Sequence, residues 1–118
     1  MKQEIKAEWL RRLRSGEYEQ LSGQLGNADT NERCCLGVLC DIAAEKGVVV
    51  ARPYSEEDNS LMVDGACTVL PFSVSEWAGL GRTIDPDVQV DEDYRSLSDL
   101  NDSGYTFAQI ADVIEEYL

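Results

Sequence analysis

Cys34-Cys35-Leu36-Gly37-Val38-Leu39-Cys40-Asp41-Ile42-Ala43 is the stretch on which the fold turns. Its apolar residues Cys35, Leu36, Leu39, Ile42 and Ala43 recur at the three- and four-residue spacing of a helix, and the stretch is apolar on nearly every side. That composition predicts the most buried helix of the chain, capped from Asp29 or Thr30 and ended by Lys46-Gly47. Gly37, with no Cβ, would let a neighbouring backbone come close. Asp41 interrupts the run, so its carboxylate has to sit on a narrow exposed edge or against a partner such as an arginine or a helix N-terminus.

Working outward, Ile5, Trp9, Leu10 and Leu13 mark a first helix over 3–15, stopped by Ser15-Gly16. Residues 17–31 are rich in Gly, Gln and Asn and read as a loop with a short strand near Tyr18. On the far side, Val48-Val49-Val50 is a short β-branched run. Ser60 to Leu70 brackets Asp64-Gly65, the dipeptide suited to a two-residue hairpin turn. Residues 53–59, with Glu56-Glu57-Asp58, read as a solvated loop between them.

After Pro71, Ser73-x-x-Glu76 has the form of a capping box opening a short helix through Trp77 to Leu80, stopped by Gly81. Residues 83–94 are acidic and contain Pro86, which predicts a loop with an edge strand at 88–90. Two helices close the chain, Ser96 to Asp102 and Thr106 to Leu118. The second has a Thr106-x-x-Gln109 capping box and an apolar stripe of Phe107, Ile110, Ala111, Ile114 and Leu118. The fold class that follows is α+β: one domain over 1–118, about five helices packed on a small antiparallel hairpin sheet. A length of 118 residues suits a single core.

The carboxylates outnumber the basic groups by 23 to 10, a formal net charge of −13. Five of the ten basic residues (Lys2, Lys6, Arg11, Arg12 and Arg14) fall in the first sixteen positions, so the rest of the chain is more acidic still. A field of that sign repels phosphates and anionic lipid, which disfavours direct binding to nucleic acid or membrane and favours a basic protein partner. No run approaches the length of a membrane span, and the first residues lack the apolar region of a secretory signal, so the cytoplasm is the expected location. There the four cysteines (Cys34, Cys35, Cys40 and Cys67) would be reduced thiols filling the core.

The chain has no histidine. Ser-His-Asp and Cys-His catalysis, histidine-bound zinc and the usual proton shuttle near neutral pH are thereby excluded. Cys34-Cys35-x4-Cys40 lacks the spacing of a thiolate zinc site, since adjacent helical residues point about 100° apart. Asp85-x-Asp87-x-Gln89-Val90 begins like a calcium loop. It fails at Val90, where glycine makes the turn, and at Ser96, where a glutamate should close the site. Gly79-Leu80-Gly81-Arg82 lacks the Lys-Ser/Thr of a phosphate loop. These exclusions leave no enzyme, cofactor or metal reading to prefer.

The candidate partner-binding residues are therefore carboxylates: Asp112, Glu115 and Glu116 on one face of the last helix, and Asp91, Glu92 and Asp93 in the acidic segment before the closing helices. The alternative, a small-ligand or nucleotide-signal binder, would use Arg33, Arg52 and Arg82 as anion contacts.

The run 34–43, Leu100-Asn101-Asp102-Ser103-Gly104 and Phe107-Ala108-Gln109-Ile110-Ala111-Asp112-Val113-Ile114-Glu115 resemble a widespread group of small bacteriophage and prophage proteins of no assigned function. Trp9-Leu10-x-x-Leu13-Arg14-Ser15-Gly16-x-Tyr18-x-Gln20 is similar too, as is Leu70-Pro71 followed by Glu76-Trp77-Ala78-Gly79-Leu80. Residues 48–69 have no counterpart in that likeness. The resemblance implies no catalytic residues. It implies an accessory protein acting in a host cell, similar in kind to acidic inhibitors that occupy the nucleic-acid channel of a defence enzyme.

Overall fold

Trp9, from the first helix, is completely buried and donates its indole N–H to the Cys35 carbonyl oxygen at 3.0 Å. This one bond ties the amphipathic N-terminal helix to the central one. It also satisfies the polar atom of the largest core side chain. The computed structural model describes all of residues 1–118. Its helices are α1 (Gln3–Arg14), α2 (Cys35–Glu45), α3 (Phe72–Trp77), α4 (Leu97–Asp102) and α5 (Phe107–Tyr117). Its strands are β1 (Glu19–Gln20), β2 (Glu32–Arg33), β3 (Ala51–Pro53), β4 (Leu61–Val63), β5 (Asp87–Val90) and β6 (Asp93–Ser96).

The architecture is α+β, with α2 as the hub. Every residue of α2 from Cys35 to Cys40 is buried, as are Ile42 and Ala43, and α1, α3 and α4 pack around it. α5 lies along α1 and closes the core with Phe107, Ile110, Ala111 and Ile114. Burying one such side chain stabilises the fold by about 1.5–3 kcal/mol. The Thr106–Gln109 capping box that opens α5 forms as the sequence predicts: the Gln109 N–H donates to Thr106 Oγ1 at 3.2 Å and the Thr106 N–H to Gln109 Oε1 at 2.9 Å.

The strands depart from expectation in a coherent way. Instead of one small sheet there are three separate pairs, and β1–β2 is parallel; only β3–β4 and β5–β6 are antiparallel. Val48 to Val50 precede the strand, which begins at Ala51, because Val48 is drawn back onto the end of α2 by its N–H bond to the Ala43 carbonyl. Asp64 and Gly65 both take positive φ, at 49° and 82°, and form the tight turn the dipeptide predicts. The chain leaving the turn bridges back only at Ala66, however, and β4 takes its main pairing from β3, which precedes it. The acidic segment read as a loop with one edge strand is a hairpin, β5 paired with β6 around Asp91-Glu92.

Two helix starts also differ. α2 is capped by Cys34, whose sulfur accepts from the Gly37 N–H at 3.4 Å. Asp29 and Thr30 lie too far upstream, because Glu32 and Arg33 are held extended by pairing with Glu19 and Gln20. α3 has Pro71 at its N-cap with no side-chain cap, and the Ser73 hydroxyl donates to Asp64 at 2.6 Å instead. A turn carboxylate within reach has displaced the local capping bond.

Gly37 meets the close approach its position predicts. A Cβ there would fall deep inside the van der Waals radius of the Leu25 carbonyl oxygen. That carbonyl accepts the Cys34 N–H at 3.0 Å, so residues 25, 34 and 37 form one tight crossing of backbone over helix.

Candidate functional site

Asp41 lies on the edge of α2 against Arg33 of β2, whose Nε is 3.1 Å from both carboxylate oxygens. Burial pushes the Asp41 carboxyl up from its ordinary range, and the Arg33 guanidinium pulls in the opposite direction. Arg33 also donates through Nη1 to the carbonyl oxygens of Asn27, Thr30 and Glu32 at 2.7, 3.0 and 2.7 Å. All of this bonding is internal, so Arg33 serves as a clamp on the 27–32 loop. Arg52 stands exposed on β3. Arg82 lies 4.5 Å over the Phe72 ring with Glu76 at 3.6 Å. The three arginines named as anion contacts lie on β2, on β3 and in the turn after α3, each with its own surroundings, and share no cavity.

The carboxylates divide into two groups by pairing. On α5, Arg14 of α1 donates to Asp112 at 2.8 Å and to Glu115 at 3.2 Å, and Lys6 reaches the Glu115 carbonyl at 2.9 Å. Only Glu116 of that face stands without a cation. Asp91, Glu92 and Asp93, at the tip of the β5–β6 hairpin, are all exposed and none has a basic partner. Asp91 holds φ at 57°, a left-handed value that aspartate tolerates better than most residues and that turns the chain at the tip. Next to them Tyr94 is 76% exposed, the most exposed of the large hydrophobic side chains. The sequence reading missed this aromatic, since a tyrosine at the end of an acidic segment carries no signal of its own.

Arg95, one residue further on, is turned the other way. It bonds Asp99 at 2.6 Å and Ser103 at 2.8 Å and lies 5.5 Å from the Tyr105 ring centre, pinning the base of the hairpin to α4. The Arg95 guanidinium holds the Asp99 carboxyl below its usual range. Asp85, the first carboxylate of the calcium-like pattern, accepts from the Ser98 N–H at 3.1 Å and from the Ser98 hydroxyl. It serves the start of α4. No group of three or more Cys, Asp or Glu side chains converges as metal ligands would. Three thiols are buried, and burial raises each of them, Cys34 to about 11.

A further polar centre lies beneath this surface. Asn101 is 2% exposed, and its Oδ1 accepts from the Cys35 N–H and from Gln20 Nε2, both at 3.1 Å. Its Nδ2 donates to the Leu21 carbonyl at 2.8 Å and to Asp102 at 3.3 Å. Gln20 also donates to the Tyr105 carbonyl at 2.7 Å and accepts the Phe107 N–H at 3.1 Å. Asn101, at the corner between α4 and α5, is the junction of four segments.

The family model of a domain of unknown function, DUF8296, matches residues 1–118. The chain belongs to the DUF8296 family. That match includes residues 48–69, which the likeness seen in the sequence leaves out, so the β3–β4 unit is part of the DUF8296 domain. No curated protein and no solved structure matches the chain.

Proposed function

We propose that this DUF8296 protein is a non-enzymatic accessory factor that docks on a basic host protein through the tip of its β5–β6 hairpin. One observation carries the reading: Tyr94 is 76% exposed beside Asp91, Glu92 and Asp93, carboxylates that form no ion pair with a cation of the chain. An exposed aromatic flanked by free anions suits a surface of lysine and arginine, since the ring attracts a guanidinium face and the carboxylates supply charge-assisted hydrogen bonds. The net charge of −13 favours such an encounter at long range. The likeness to phage and prophage proteins supports a host protein as the target. A nucleic-acid-handling defence enzyme fits best, because its phosphate-binding surface is basic and the hairpin would compete with nucleic acid for it.

The test is affinity capture from host lysate at low salt, followed by binding measurements on the retained protein across an ionic-strength series. Affinity should fall steeply with salt, because exposed charges more than about 8 Å apart are screened at physiological ionic strength. Asp91→Asn, Glu92→Gln and Asp93→Asn together with Tyr94→Ala should weaken binding more than Asp112→Asn, Glu115→Gln and Glu116→Gln. Two of the latter three carboxylates already hold Arg14. Retention of no basic protein, or an affinity indifferent to salt, would remove the basis for this reading.

A further inference from the structure

Most cations of this chain are engaged: Arg11 and Arg12 with Glu8, Arg14 with Asp112 and Glu115, Arg33 with Asp41, Arg82 with Glu76, Arg95 with Asp99, and Lys6 with a carbonyl. The side chains of Lys2, Lys46 and Arg52 have no such partner. These three of the ten basic side chains are not scattered over the surface. Lys2 and Lys46 line one groove, Arg52 lines a second, and the two grooves share Val48 in their walls.

The first groove has a volume of about 710 Å³, within the ~300–1,000 Å³ of small-molecule sites. Ile5 of α1, Ile42 of α2, Val48 and the half-buried Trp77 of α3 give it an apolar floor. The indole N–H of Trp9 is bonded inside the core, whereas that of Trp77 has no acceptor in the protein. Glu8 and Glu45 on the wall are both bound to Arg12, leaving Glu4 as the one wall carboxylate without a cation. The groove is thus a nearly neutral, partly apolar island on an anionic surface, with two free ammonium groups at its edge.

We propose that this groove binds a small organic anion with an aromatic body, the ring lying on Trp77, Ile5 and Val48 and the oxyanion held by Lys2 and Lys46. Phosphate monoesters and carboxylates share that chemistry. This site is separate from the hairpin tip, so its occupancy stands or falls independently of the docking reading.

The probe is 8-anilinonaphthalene-1-sulfonate, an aromatic anion whose emission rises in apolar surroundings. It should bind saturably, one per chain, and quench tryptophan emission more strongly in the parent protein than in Trp77→Phe, where only the more distant Trp9 remains to be quenched. Lys2→Glu with Lys46→Glu should weaken it at least about tenfold. Arg82→Glu, a charge reversal away from the groove, should leave affinity within about twofold. The neutral N-phenyl-1-naphthylamine should bind at least about tenfold more weakly. Near-ultraviolet circular dichroism identifies any variant that has lost its packing. Competition then separates the sources: displacement by adenosine 5′-monophosphate alone indicates a phosphate ligand, by indole-3-acetate alone a carboxylate, and by both the class as a whole. Displacement by neither, unsaturable probe binding, or affinity untouched by the two lysine reversals overturns the proposal.

Discussion

Gln20 and Asn101, 81 positions apart, share a hydrogen bond of 3.1 Å, and through it the backbones of four segments meet. Gln20 fixes the α4–α5 corner by bonding the Tyr105 carbonyl and the Phe107 N–H, while Asn101 fixes the start of α2 at Cys35 and the strand exit at Leu21. A primary amide suits such a junction, because it offers two donors and an acceptor with two lone pairs.

Asn101→Leu should therefore cost about 2–4 kcal/mol, since it strands a buried N–H at Cys35 and a carbonyl at Leu21. Urea unfolding should show a lower midpoint with an unchanged slope. Gln20→Ala should cost less, as its bonds lie nearer the surface.

Gly37→Ala is expected to prevent native packing, since the added methyl group would drive into the Leu25 carbonyl and the backbone crossing has nowhere to move. Gly16→Ala meets open space and strains only its left-handed φ of 77°, so it should cost about 1 kcal/mol. Thermal melts of the two variants should differ accordingly.

Alkylation with iodoacetamide at pH 8 should modify Cys67 alone in the folded protein. Cys34, Cys35 and Cys40 are buried and their thiols are pushed up by desolvation, so the reactive thiolate is scarce there. Intact-mass measurement should find a single adduct, and four after unfolding in urea.

Acid should destabilise the fold partly through Glu8. Hydrogen bonds from Arg11 and Arg12 hold its carboxyl down to about 2 in the folded state. A depressed folded-state value means stability present above the unfolded value and lost as pH falls towards 2. Glu8→Gln should flatten this part of the acid limb. Asp41, raised by burial, acts in the opposite sense, its contribution improving as pH falls through its folded value. Stability measured by urea unfolding from pH 7 to pH 2 should show both slopes change in the two single variants, with Asp41→Asn removing the opposing one.

The helices were legible because their signals are local: apolar spacing in α1, α2 and α5, and a capping box at Thr106. The Asp64-Gly65 turn was legible for the same reason, its φ values being dictated by two adjacent residues. What escaped was set by distant partners. Cys34 became a cap only because β1–β2 pairing holds the chain extended up to it, and Ser73 lost its capping bond to Asp64 of a different element. At the candidate site, the acidic identity of residues 91–93 could be read directly. Their freedom from cations, and the pairing of Asp112 and Glu115 with Arg14, depends on α5 lying along α1 and has no trace in residue order.

Dividing the strands into three pairs rather than one sheet has an effect on how the molecules behave in a crowd. No exposed edge is longer than four residues, Pro53 removes a donor from one of them, and acidic side chains flank another. A neighbouring chain finds no continuous row of amides on which to extend a cross-strand ladder, and mutual repulsion keeps it at a distance. Short, interrupted edges and a net charge of −13 thus act together against strand-to-strand association between copies of the chain.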